Sequence, residues 1–233
     1  MKAVILAGGF GTRLRPITYS CPKPMLPVGG RPFLEYLMNF LKTYGITDVI
    51  LCLHYLAERV SEYFGDGTNF GLRIKYSVEK EPLGTAGAIK NVEDFLDESF
   101  LVLNGDTYMD LNLQEMLSFH RNKKALGTIA LVKVKDPLRY GVVNVSEDRR
   151  ITSFSEKAYA NEGYVNAGVY IFEKRILDYI PNHVKVSLER EILSKLLNDE
   201  RLYGFLSEGY FIDIGVPDDY VRFQKEALDG VLI

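Results

Sequence analysis

Cysteine and histidine are scarce in this sequence: among 233 residues there are two of the first and three of the second. Cys21 and Cys52 lack the close spacing of metal ligands, which argues against a zinc site and leaves two reduced thiols, as in a cytoplasmic protein. His54, His120 and His183 share no motif, and no Ser-His-Asp set forms around them. Excess basic charge is also missing. Lys and Arg number 28 against 31 Asp and Glu, a net charge of −3, so nothing here holds a nucleic-acid backbone and any bound nucleotide is small. Long hydrophobic runs are absent too. The first apolar run, in "MKAVILAGGFG", is cut by glycines, too soon for a signal-peptide core or a membrane span. No hexapeptide repeat occurs, so no C-terminal β-helix is expected, and no Pro-, Ser- or Gly-rich linker divides the chain.

What is present is ordinary globular composition, 47% hydrophobic and 25% charged. Apolar runs alternate with amphipathic stretches. Residues 2–6 and 48–55 predict buried strands, 72–78 and 99–106 further strands. Residues 32–43, 57–64, 85–96 and 112–121 predict helices; the third carries Ala88, Ile89, Val92, Phe95 and Leu96 inward. Asp110 is expected to cap the fourth. After about residue 127 strands dominate. They are followed by a helix at 187–199 capped by Ser187, a hairpin-like pair at 203–215, and a closing helix at 217–228. The expected fold class is α/β: a single domain, 1–233, with a mostly parallel sheet flanked by helices and two halves, about 1–126 and 127–233.

One loop dominates the first half, "LAGGFGTRLRPITYSCPKPMLPV", Leu6 to Val28. A dinucleotide fingerprint fails at Leu14, where a third glycine is needed; a Walker loop fails at Thr12-Arg13. Yet the loop opens at the end of the first strand, where doubly wound sheets bind ligands. Gly8, Gly9 and Gly11 let main-chain N–H groups approach an anion. Arg13 presents a planar fork for phosphate oxygens and Lys23 a compact charge. Pro16, Pro22, Pro24 and Pro27 stiffen the span between and beyond them.

Extended to "LAGGFGTRLRPITYSCPKPMLPVGGRPFLEY", the stretch resembles the signature of the sugar-1-phosphate nucleotidyltransferases. The similarity continues through "EKEPLGTAGA", "LVLNGD", "EK", "NAGVYIF" and "FIDIGVPDDY", nearly the whole chain. The resemblance implies a Rossmann-like nucleotide-diphospho-sugar transferase fold, with a nucleotide-binding and a sugar-binding half. It implies an enzyme that joins a nucleoside triphosphate and a sugar 1-phosphate, releasing pyrophosphate. Such a reaction needs cations and a metal more than a nucleophilic side chain.

On this resemblance Arg13 holds the leaving phosphates and Lys23 the reacting α-phosphate. Leu6, Ala7, Gly8, Gly9, Gly11, Thr12, Glu79, Pro82, Gly84, Thr85 and Gly105 surround the nucleotide. Asp106 and Asp213 hold Mg²⁺. Tyr140, Gly141, Glu156, Lys157, Asn166 and Gly168 bind the sugar phosphate. A carboxylate such as Glu79 can accept from N1–H and N2–H₂ of guanine together, a donor pair uracil lacks, so GTP is favoured over UTP. "SLEREIL" (187–193) looks closest to the D-glycero-α-D-manno-heptose 1-phosphate guanylyltransferases. Mannose-1-phosphate guanylyltransferases and muramic acid or hexose 1-phosphate uridylyltransferases stand as alternatives, and a non-catalytic nucleotide-sugar sensor as another class. Relatives often form homodimers; neither nucleic acid nor membrane is an expected partner.

Overall fold

The structure, a computed structural model, describes residues 1–155, 161–199 and 201–229. In chain order the first elements are β1 (Ala3–Leu6), β2 (Pro27–Val28), β3 (Arg31–Pro32), α1 (Phe33–Thr43), β4 (Asp48–Leu53), α2 (Ala57–Phe64) and β5 (Arg73–Val78). Next come α3 (Gly84–Lys90), β6 (Ser99–Asn104), β7 (Thr107–Met109), α4 (Leu113–Lys123), β8 (Gly127–Lys135), β9 (Val142–Val145), β10 (Ile151–Ser155) and β11 (Glu162–Glu173). A π-helical turn (Leu188–Ile192) runs into α5 (Leu193–Leu196), and β12 (Leu202–Ser207), β13 (Phe211–Asp213) and α6 (Pro217–Leu228) complete the order. The central sheet has seven strands, β12-β8-β11-β6-β1-β4-β5, and is mostly parallel.

The chain divides into two compact units, each assembled from separate stretches. The first comprises Lys2–Pro82, Leu103–Tyr108 and the stretch from Ile212. In it β1, β4 and β5 run parallel, with Ala3 beside Val49 and Asp48 beside Arg73. β1 and β4 are apolar along nearly their whole length, as strands covered on both faces must be. α1 buries Phe33, Leu34, Leu37, Met38 and Leu41 on one face; Pro32 caps its start, and Gly45, at φ 71°, follows its end. α6 starts with Pro217 in its first turn and buries Tyr220 and Phe223. The Phe223 ring meets Phe33 and Tyr36 edge-on, each at 5.4 Å. Burial of such a ring stabilises by about 1.5–3 kcal/mol.

The second unit comprises Leu83–Val102 and Met109–Phe211, with Met1. β8 pairs antiparallel with β11 and parallel with β12, and β9 pairs antiparallel with β10. Ser187 caps the π-turn as expected, its hydroxyl accepting from Arg190 N. Three local expectations are corrected. Asp110 does not cap α4: the cap is Asn112, whose Oδ1 accepts from Gln114 N and Glu115 N. Residues 203–215 are not a hairpin, because β12 takes β8 as its parallel partner and β13 pairs with β7. Phe95 does not point inward: α3 ends at Lys90, and a separate 3₁₀ turn at Glu93–Phe95 leaves its ring 45% exposed.

Candidate active site

The long loop after β1 is held by its own hydrogen bonds. It winds through three 3₁₀ turns, Thr12–Leu14, Ile17–Tyr19 and Lys23–Met25. Gly11 sits at φ 62°, and a Cβ there would meet Thr18 Cγ2 at 2.8 Å, so a side chain is excluded twice over. Buried Thr18 donates Oγ1–H to the Gly11 carbonyl at 2.9 Å. The Tyr55 hydroxyl lies 3.0 Å from the carbonyls of both Thr18 and Tyr19. At the far end Tyr220 and Gln224 of α6 donate to the Pro27 carbonyl, at 2.8 and 3.0 Å. Thr18, Tyr55, Tyr220 and Gln224 carry no charge and fit no phosphate motif, so sequence reasoning passes over them.

This frame brings Lys23, 9% exposed, to Asp106, with Nζ donating to Oδ2 at 2.5 Å. Asp106 follows Gly105, whose N–H donates to the Leu6 carbonyl at 2.8 Å. A Cβ on Gly105 would stand 2.7 Å from that same oxygen and 3.0 Å from Ala7 Cβ, so only glycine lets the acid's turn lie against the end of β1. Ile214 N–H donates to the Asp106 carbonyl at 2.9 Å, which brings the end of β13 alongside. Asp213 Oδ1 accepts from Gly215 N at 2.7 Å, and a Cβ on Gly215 would meet Arg13 Nη2 at 2.9 Å. Arg13, Lys23, Asp106 and Asp213 therefore gather in one unit, although some 200 residues separate the first and last.

The two acids differ electrostatically. Burial pushes the Asp106 carboxyl up, but the Lys23 charge and hydrogen bond, with Thr107 and Arg13, hold it below the usual carboxylate range. Asp213 is raised, first by burial and then by the charge of Asp106, against the pull of Lys23, Gly215 and Arg13. A divalent cation between such repelling carboxylates relieves that repulsion, so the pair fits one. Among the described residues no cluster of three or more His, Cys, Asp or Glu could hold a metal, which suits an ion that draws most ligands from phosphate and water.

Nearby, His54 links the glycines to the Glu79 loop. Its Nδ1 lies 2.8 Å from the Glu79 carbonyl, Phe10 packs edge-on against its ring at 5.3 Å, and a Cβ on Gly8 would meet its Cβ at 3.3 Å. Gly9 is exposed, with open space around it, as is Thr12 at the start of the first turn. Glu79 and Pro82 are half-buried, and Glu79 N–H donates to the Leu53 carbonyl.

In the other unit, Gly84 lies at φ 72° against Val186, whose carbonyl oxygen would be 2.5 Å from an added Cβ; Gly87 stands likewise 2.8 Å from the Val184 oxygen. Both glycines are thus required by main-chain packing. The Thr85 hydroxyl donates to Glu189 Oε2 at 2.8 Å and accepts from Leu188 N at 2.7 Å. Ser187 Oγ donates to the same Glu189 oxygen at 3.1 Å. This fastens the first turn of α3 to the π-turn. Glu189, Arg190, Leu193 and Ser194 from the π-turn and α5 line a hollow of about 440 Å³ together with Tyr140, Gly141 and Asn166.

Asn166 Oδ1 accepts from Gly168 N at 2.9 Å, and its Nδ2 donates to the Tyr170 hydroxyl at 2.8 Å. The strand register shifts between Asn166 and Tyr170, and Gly168, buried, supplies φ 73°. Arg139 lies over the Tyr140 ring at 4.6 Å and donates to its hydroxyl at 2.6 Å. Glu156 and Lys157 lie outside the described residues. Arg139, Glu189, Arg190 and Ser194 are the lining residues to which the sequence reading gives no role, although "SLEREIL" marks their neighbourhood.

Comparison with known proteins agrees with this arrangement. Residues 2–230 match the family model described as nucleotidyl transferase. The chain is 44% identical over 227 residues to a D-glycero-alpha-D-manno-heptose 1-phosphate guanylyltransferase of Aneurinibacillus thermoaerophilus, covering 97% of this chain and 98% of that one. It is 42% identical to a mannose-1-phosphate guanylyltransferase of Mycobacterium tuberculosis, covering 99% of this chain and 66% of that protein. The solved structure of HddC from Yersinia pseudotuberculosis complexed with GMP-PN is similar at a TM-score of 0.86 and 36% identity, over 97% of this chain and 99% of that one. Divalent metals are common in such enzymes. No helix among the described residues is long and apolar enough to cross a membrane.

Proposed function

The chain belongs to the nucleotidyl transferase family, and from that premise we propose that it joins GTP to a sugar 1-phosphate, with D-glycero-α-D-manno-heptose 1-phosphate as the best candidate. A phosphate oxygen of the sugar 1-phosphate forms a bond to the α-phosphorus of GTP. The bond from that phosphorus to the bridging oxygen breaks, and pyrophosphate leaves with the electron pair. The nucleophile is already an anion, so the protein's work is alignment and charge neutralisation. The observation that carries the reading is the gathering of Arg13, Lys23, Asp106 and Asp213 at the ends of β1, β6 and β13.

Arg13 takes the β- and γ-phosphates through its fork. Lys23, nearly buried and oriented by Asp106, sets a point charge at the α-phosphate, where negative charge gathers in the transition state. Asp106 and Asp213 hold Mg²⁺, which when bound screens the phosphates from one another. The glycine turns with Leu6 and Ala7 seat the nucleotide, and Glu79 accepts from guanine. Tyr140, Gly141 and Asn166 meet the sugar, with Glu156 and Lys157 gripping its hydroxyls and phosphate. The family resemblance extends the proposal to a cytoplasmic homodimer, read by light scattering.

Near-full-length similarity to the heptose enzyme favours heptose over mannose. The test is pyrophosphate release across four nucleoside triphosphates crossed with heptose, mannose, glucose and muramic acid 1-phosphates in Mg²⁺. Release confined to GTP with heptose 1-phosphate is expected. Turnover with mannose 1-phosphate alone would reassign the sugar. Tight nucleotide-sugar binding without release in any pairing would make the chain a sensor.

A further inference from the structure

The second unit carries a hollow whose lining includes no residue of the candidate active site. It measures about 340 Å³ and is lined by His120, Arg121, Lys124, Ala125, Leu126, Glu173, Arg175 and Arg201. Four of these are permanent cations and one is a carboxylate, in a chain whose net charge is −3. The carboxylate is already engaged: Glu173 Oε1 accepts from Ser99 Oγ at 2.7 Å and lies 3.0 Å from His120 Nε2. The hollow thus holds three positive charges in excess. Four like charges around one small space repel one another, and an anion among them removes that repulsion.

The walls are stitched together by main chain. Lys124 N donates to the Arg121 carbonyl and Ala125 N to that of His120, at 3.0 and 3.1 Å. Leu126 N donates to the Arg201 carbonyl at 2.9 Å, and Glu173 N to that of Leu126 at 3.0 Å. Three distant stretches thereby bring their cations to one place. His120, 2% exposed, is locked by Thr128 Oγ1 on Nδ1 at 2.8 Å and by Glu173 on its other nitrogen. Arg175 also lines a neighbouring recess with Asp178 and Tyr179, so one acid flanks the rim.

We propose that this hollow is a second phosphate-binding site, taking the polyphosphate group of a small anion, either free pyrophosphate or the tail of a nucleotide. Guanidinium forks match phosphate oxygens in pairs, and three of the four cations are arginines. One carboxylate-bearing ligand would leave most of the charge uncompensated; a di- or triphosphate balances it. The volume lies at the small end of ligand pockets, which suits a polyphosphate group better than a whole nucleotide.

Calorimetric titration of the full-length chain with pyrophosphate, GDP and sulfate tests this at low and physiological salt. Two pyrophosphate sites are expected. The double variant Arg121→Gln with Arg175→Gln should weaken one at least tenfold while pyrophosphate-release turnover stays unchanged. Arg13→Ala should weaken the other. Equal loss in the GDP titration would identify a nucleotide tail, and loss confined to pyrophosphate would identify the free anion. Unaltered binding in the double variant, or sulfate binding as tightly as pyrophosphate, overturns the proposal. Should the double variant fail to fold, Lys124→Gln and Arg175→Gln made singly should each weaken the site several-fold; no change in either also overturns it.

Discussion

Around Lys23 the side chains proposed to meet phosphate are charged, and the central lysine is fixed by another charge, Asp106, at 2.5 Å. Beside Asn166 the fixing is done by neutral partners, a glycine N–H and a tyrosine hydroxyl, and the hollow stays open. The first arrangement suits a ligand part that never changes, the triphosphate. The second suits a part that varies among relatives, the sugar, because neutral walls can be reshaped without leaving a buried charge unpaired. The lesson is a division of labour: electrostatics carries the chemistry in one unit and shape carries selection in the other.

That division can be broken most directly at Lys23. Lys23→Ala should lower kcat about 10²- to 10³-fold in a pyrophosphate-release assay. Lys23→Arg should not restore it, since a fork does not fit the confined site of a point charge. Unchanged turnover in Lys23→Ala would end the electrostatic half of the comparison. The next largest effect should come from Thr85→Val, which breaks the bond to Glu189 and leaves Leu188 N without its acceptor. KM for the sugar phosphate should rise about tenfold with kcat less affected, and Thr85→Ser should restore it. A matching fall in kcat would show that shape and chemistry are not separable.

Glu79→Gln should reduce the preference for GTP over UTP by up to about tenfold in kcat/KM, through loss of a charged acceptor. A preference left intact would move base reading to the main chain. The smallest effect is on stability and concerns the second unit's buried histidine. Burial, aided by Arg121, depresses the His120 pKa against the pull of Glu173. Its charged form is thus disfavoured in the native state. The stability it contributes is present above about pH 6.5 and is lost as pH falls through the lowered native value. His120→Gln should flatten the decline of Tm below about pH 6.5, seen by thermal melts across pH.

The parts of the molecule legible in its sequence are those where a residue acts through its own chemistry. Arg13, Lys23, Asp106 and Asp213 stand in motifs whose charge pattern makes sense only with phosphate and metal. α1, α2 and α6 were equally plain, because their apolar spacing matches one buried face. Legibility fails where a residue acts through position. Thr18 and Tyr55 hold the loop through carbonyl contacts that no side-chain pattern announces. Gly84 and Gly87 read as open space for a base, yet Val186 and Val184 already press on them. The supposed hairpin at 203–215 could not be resolved from its residues, since strand partners are chosen by strands 70 to 100 positions away.

The hydrogen bonds from Tyr220 and Gln224 to Pro27 also have a meaning in time. A chain leaves the ribosome from its first residue onward, and the loop of Arg13 and Lys23 is made early. Its far anchor is supplied almost two hundred residues later. A nascent chain therefore carries its reactive loop unlatched until α6 emerges, and gains a fixed Lys23 only when synthesis is nearly over.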